Sequence, residues 1–110
     1  MTETRQTETE FVELTMVMLQ AALNMTSSPD HYTDKTKAFV QALHKGSFNS
    51  TNRWTVELDE SGMESLVFVL DVYCLNRPKH LQTRFRNYLR KHSKLYREMV
   101  SRQAKAAKAS

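Results

Sequence analysis

Between Phe11 and Met25 the apolar residues recur at threes and fours: Phe11, Leu14, Met18, Ala22 and Met25, with Val12, Met16, Leu19 and Leu23 widening the stripe. That period predicts a helix over 9–25, buried on most sides. Thr7-Glu8-Thr9-Glu10 has capping-box spacing ahead of it, and residues 1–8 are polar and expected to fray. Thr26-Ser27-Ser28-Pro29 ends the helix, because proline cannot continue a helix interior and restricts the residue before it.

A second helix is expected from Pro29 or Thr33 to Lys45, with Ala38, Phe39, Ala42 and Leu43 on its core side and Gly46 as its stop. Turn-forming residues fill Gly46 to Asn52. From Arg53 to Leu58 the pattern switches to alternation, with Trp54, Val56 and Leu58 on one side and Arg53, Thr55 and Glu57 on the other, which reads as a short half-buried strand. Residues 62–75 carry two signals. The run Leu66-Val67-Phe68-Val69-Leu70 suits a hairpin with 53–58 across Glu60-Ser61-Gly62. Met63, Leu66, Leu70, Tyr73 and Cys74 recur at helical spacing behind Ser61-Gly62-Met63-Glu64, and this reading is preferred.

Asn76 is an apt N-cap and Pro78 suits a first helical turn. Beyond it the chain has no Gly or Pro, and Leu81, Phe85, Tyr88, His92, Leu95 and Met99 follow 4-3-4-3-4 spacing. A continuous helix over 78–102 would be roughly 37 Å long at about 1.5 Å per residue. Residues 103–110 form a basic tail expected to be disordered. The expected fold is therefore mainly α, with α+β as the alternative: one domain over 9–102, four helices, and a strand or hairpin near 53–58. Its core would draw on Phe11, Leu14, Met18, Phe39, Leu43, Trp54, Val56, Leu66, Leu70, Phe85 and Leu89.

Charge changes this picture. The chain carries 16 Lys and Arg against 12 Asp and Glu, but residues 77–110 hold eleven of the bases and only Glu98 among the acids. Such a block calls for an acidic partner: nucleic acid, an acidic protein surface or the chain's own first 76 residues. On a wheel through 78–102 the apolar residues span an arc of roughly 140°. Lys79, Arg86, Arg90 and Arg97 fall within about 40° of one another opposite, flanked by Lys94, Thr83 and Ser101. Guanidinium groups fork onto phosphate oxygens, so this stripe is the candidate binding site. The seam of Leu81, Phe85, Tyr88, His92, Leu95 and Met99 is either a homodimer interface or the chain's own core.

Catalytic chemistry finds no footing. Two glycines cannot build a Gly-rich phosphate loop. His31, His44, His80 and His92 stand in no metal-ligand spacing, so neither metal nor cofactor is expected. No Ser, Thr or Cys has a legible base and orienting partner, and Asp59, Glu60 and Glu64 are explained by the dipole of the helix they open. The lone Cys74 makes no internal disulfide, which suits a reducing compartment. No run reaches the length of a membrane span, and the first ten residues lack the basic start and apolar run of a secretory signal, so the expected location is the cytoplasm, away from membranes.

The expected function is that of a small, non-catalytic nucleic-acid-binding protein, regulatory or architectural. The alternative is a protein-interaction module, such as a phage- or plasmid-type accessory or inhibitor docking on an acidic surface of a larger machine. The order of an alternating strand, a helix, a tight break at Asn76-Arg77-Pro78 and a second helix resembles the layout of ribbon-helix-helix DNA-binding proteins over about half the chain. The resemblance implies groove-reading roles for Arg53, Thr55 and Glu57, and a phosphate site at the backbone near Pro78. The inter-helix turn lacks that family's glycine, and the first helix is more apolar.

Overall fold

Glu10–Leu14 is a strand, β1, and not the start of a helix. Over these five residues Val12 and Leu14 point inward while Phe11 and Glu13 face away, and this alternation prevails over the longer helical period because a partner strand lies beside it. The computed structural model describes residues 9–27, 34 and 36–109. After β1 come α1 (Met16–Thr26), α2 (Lys37–His44), β2 (Ser47–Phe48), β3 (Trp54–Leu58), α3 (Glu60–Cys74), α4 (Lys79–His92) and α5 (Lys94–Ala109). The class is mainly α, with five helices and a small antiparallel sheet of strand order β1-β3-β2 among the described residues.

β3 is the central strand. Val12 faces Val56 and Leu14 faces Trp54 across β1, and Phe48 faces Trp54 across β2. The hairpin partner of β3 is thus Ser47–Phe48 and not 66–70. Asn49 shapes the intervening turn: its side-chain Oδ1 accepts from the Thr51 and Arg53 amides at 2.9 and 3.1 Å. Asn52 takes the left-handed conformation at φ 60°, which asparagine tolerates. Gly46 is not the left-handed helix stop expected of it, for neither glycine has positive φ. It is small because Trp54 passes over it on the way to donate its indole N–H to the Leu43 carbonyl at 2.8 Å.

α1 begins one residue after β1 ends, capped by Thr15, whose hydroxyl accepts from the Met18 amide at 3.2 Å. Thr7 and Glu8 of the expected capping box lie outside the described residues, and Glu10 opens β1 instead of a helix. α1 closes at Thr26, as the proline-linked break predicts. α2 is shorter than expected, and its predicted start at Pro29 or Thr33 lies outside the described residues. Phe39, Val40 and Leu43 are buried, whereas Ala38 is exposed. The segment 62–75 is helical as far as Cys74, within α3, with Leu75 as its C-cap; α3 is capped at its start by Asp59 and not by Ser61, and the Asp59 carboxylate accepts from the Gly62 amide at 2.7 Å. α3 is the axis of the domain, packing against β3 and all four other helices. Phe68 on its solvent side and Leu75 just past its end are nevertheless exposed.

The predicted 78–102 helix is two helices. Pro78, without a side-chain cap, starts α4 in place of Asn76, and Ser93 breaks it with extended backbone at φ −131° and ψ 115°. The first amides of α5 have no helical partners of their own. Glu10 of β1 supplies them: its carboxylate accepts from the amides of Lys94 at 3.0 Å and Leu95 at 3.2 Å, and from the Ser93 hydroxyl at 2.7 Å. Ser93 Oγ accepts in turn from the Tyr96 amide at 3.0 Å. α5 then runs on to Ala109, so 103–109 is helical where the sequence suggests disorder.

The break lets the apolar seam fold around one core. Phe85 and Leu89 of α4 join Leu95, Tyr96 and Met99 of α5 in a cluster with Val12, Met18, Phe39, Leu43, Val56, Leu66 and Leu70. Two expected core residues differ: Phe11 is 69% exposed on the outer sheet face, and Trp54 is half-buried against Phe48 with ring centroids 4.8 Å apart.

Replacing Glu10 with Ala should lower unfolding stability by about 1–2 kcal/mol in urea denaturation, as loss of a helix cap does; an unchanged midpoint would show that the carboxylate contributes nothing to α5. Gly46→Ala should destabilise by roughly 1–3 kcal/mol with altered tryptophan fluorescence, because the added methyl collides with the Trp54 indole and lies 2.6 Å from the Thr55 carbonyl oxygen.

Candidate nucleic-acid interface

α4 is held to the body by a narrow stripe. Only Phe85 and Leu89 are buried, with Leu81, Gln82 and Tyr88 partly so. The remaining side chains, Lys79, His80, Thr83, Arg84, Arg86, Asn87, Arg90, Lys91 and His92, are exposed. None is acidic, and five are Lys or Arg.

The stripe expected along one continuous helix is divided by the turn at Ser93. Lys79, Arg86 and Arg90 stay together on α4, while Lys94 and Arg97 belong to α5. Their partners differ too. Arg86 donates to Asp71 of α3 at 2.8 Å, and Gln82 meets the other oxygen of the same carboxylate at 3.0 Å. Arg97 reaches back to the Arg90 and Lys91 carbonyls at 2.7 and 3.4 Å, satisfying the last turn of α4. Lys94 lies 3.9 Å from Glu98, and Arg102 pairs with Glu60 at 2.9 Å. The acidic first part of the chain thus takes up some of the basic block, at Asp71 and Glu60. Among the described residues Arg90 donates to Asn87, at 2.9 Å, and no ion pair engages Lys79, Arg84 or Lys91.

Arg84 and Lys91 are functional candidates missed in the sequence. A one-sided stripe on a straight helix leaves them on a flank; the burial pattern of α4 turns that flank to solvent. The seam residues also resolve individually. Phe85, Leu95 and Met99 are buried in the chain's own core, Leu81 and Tyr88 are half-buried, and His92 is exposed, so the seam offers a second copy little apolar surface.

Tyr88 joins α4 to the sheet. Its hydroxyl donates to the Glu13 carbonyl of β1 at 2.7 Å and accepts from Arg53 Nη1 at 3.3 Å. The Arg53 guanidinium lies 5.4 Å from its ring centroid, and the His92 ring packs at 4.4 Å. Burial pushes the phenol above its ordinary value of 10; Glu13 adds to this, against the pull of Arg53.

Comparison with known proteins returns no relative. No family model, no curated protein and no solved structure matches the chain. The ribbon-helix-helix layout is also set aside by topology. β3 is hydrogen-bonded between two strands of its own chain, so it is not free to pair with a second copy. Arg53 turns to Tyr88, and Glu57 accepts from the Thr9 hydroxyl at 2.8 Å.

Other features are weaker sites. A groove of about 360 Å³ on the outer sheet face lies between Phe11 and α2, floored by Thr55 and Glu57. No group of three or more potential metal ligands occurs among the described residues. No described helix is long and apolar enough to cross a membrane. Cys74 is buried, and desolvation followed by the nearby Asp71 raises its thiol pKa, the reverse of what activates a nucleophile.

Tyr88→Phe should cost about 1 kcal/mol at neutral pH by removing the hydroxyl that joins α4 to β1. The folded phenol holds its proton more tightly than the unfolded one, so its contribution is full below pH 10 and falls as pH rises through the higher folded value. Urea titrations at neutral and alkaline pH should show the gap between wild type and variant narrowing above pH 10.

Proposed function

We propose that this protein is a small, non-catalytic nucleic-acid-binding protein, architectural or regulatory, that holds the polymer on the exposed face of α4. The observation that carries the reading is the composition of that face: five cations, two histidines, Thr83 and Asn87, without one acid. A merely solvated helix mixes signs, since paired charges of opposite sign stabilise it and like charges repel. Here the like charges are left facing solvent, and a polyanion relieves their repulsion.

Lys79, Arg84, Arg90 and Lys91 are the principal contacts. Guanidinium groups bridge phosphate oxygens in pairs, lysines act as point charges, and Thr83 and Asn87 add hydrogen bonds. Arg86 is shared between Asp71 and the polymer. Lys94 and Arg97, expected as equal members of the site, become peripheral because Glu98 and the end of α4 already occupy them. Binding of this kind draws its free energy from counter-ion release.

Fluorescence anisotropy with labelled nucleic acid should show affinity falling on the order of a hundredfold between about 50 and 200 mM salt, as four or so phosphate contacts require. The triple variant Arg84→Glu, Arg90→Glu, Lys91→Glu should abolish binding with an unchanged circular dichroism spectrum, whereas Lys37→Glu, Lys45→Glu at the two ends of α2 should retain most of it. Full binding by the triple variant would refute the assignment. Absence of binding by the wild type at low salt would leave the same cations for an acidic protein surface.

A further inference from the structure

We infer that the polymer is duplex DNA and that α4 lies along its major groove; this rests on the nucleic-acid reading above and assigns the form of the ligand. The distribution of side chains around α4 favours this form. At about 100° per residue, with Phe85 marking the buried direction, Lys79, Arg86 and Arg90 fall roughly 100–140° to one side. Arg84 and Lys91 fall roughly 100–120° to the other, and His80, Thr83 and Asn87 lie within about 40° of the outermost line. The helix therefore presents an uncharged polar crest between two rows of cations.

A duplex groove asks for this arrangement. Two phosphate strands flank a floor of base edges, so cations belong on both shoulders of an inserted helix and hydrogen-bonding groups without net charge along its crest. The dimensions agree: a helix with side chains is about 10–12 Å across and the major groove about 12 Å wide. The fourteen residues of α4 extend about 21 Å. Asn87 is already oriented, its Oδ1 accepting from Arg90 at 2.9 Å, which leaves its amide hydrogens to donate.

Other nucleic acids fit less well. Single strands are gripped by exposed aromatic faces on which bases stack. On α4, Phe85 is buried and Tyr88 is held by Glu13 and Arg53, which leaves imidazoles alone. An RNA duplex has a deep, narrow major groove that does not admit a helix.

The test compares one random sequence of about 20 base pairs as duplex DNA, as single-stranded DNA and as duplex RNA by anisotropy at about 50 mM salt, with methyl green and netropsin as major- and minor-groove competitors. The duplex DNA should bind at least tenfold more tightly than either other form, with methyl green displacing the protein and netropsin leaving it bound. Equal affinity for single strand and duplex, or displacement by netropsin, overturns the groove assignment while the nucleic-acid reading stands. No binding to any of the three overturns both. Thr83→Ala, Asn87→Ala should reduce affinity at least tenfold for duplexes that wild type selects from a random pool, with single-strand affinity unchanged; an equal loss on every duplex would reduce the crest to non-specific contacts.

Discussion

The architecture turns on one carboxylate. Ser93 interrupts what is otherwise a good helical sequence, and an interruption in the middle of a helix exposes a fresh set of amides that need acceptors. Glu10 brings the acceptors from β1, and Ser93 adds its own hydroxyl. With that end satisfied, the chain can turn, and the apolar residues after the turn, Leu95, Tyr96 and Met99, pack on the same core as Phe85 and Leu89. Without the turn, a straight helix would carry half of its seam away from the domain. The same turn brings Arg97 back over the carbonyls that close α4.

Electrostatics follows from this folding. The chain is polarised, with acids in its first two-thirds and bases in its last third, and the turned helices allow partial neutralisation. Asp71 meets Arg86 and Glu60 meets Arg102, in pairs exposed enough to contribute only about 0–1 kcal/mol each. Their effect is to sort the cations: those facing α3 are matched, and those facing outward from α4 are not. The outward cations of α4 are thus the remainder left after internal pairing.

Much of the fold is legible in the sequence where a pattern is long and local. The helix α3 is readable because its fifteen residues sustain a helical period against a β-branched run, and β3 because Trp54, Val56 and Leu58 alternate cleanly. β1 is not, since five residues of alternation sit inside a stretch whose wider spacing also satisfies a helix; only its pairing with β3 decides. Ser93 is equally hidden, because a serine within a helical pattern is no strong breaker and the acceptor that stabilises the break is remote. Lys79, Arg86 and Arg90 are legible as neighbours on one exposed face of α4 from their spacing alone. Arg84 and Lys91 emerge only once the narrow burial of α4 is known, because sequence periodicity gives the direction of a helix's core but not the width of its free surface.

The cap at Glu10 spans 83 to 85 residues of chain. Contacts of such sequence separation form late, because the entropy of closing the loop must be met before they contribute. As the chain is synthesised, β1 emerges long before either β3 or the junction that needs its carboxylate, and its apolar side has no finished shelter in the interval. The start of α5 is correspondingly among the last parts of the domain to be locked in place, so the turn that parts the cations of α4 from those of α5 is completed only with the fold itself.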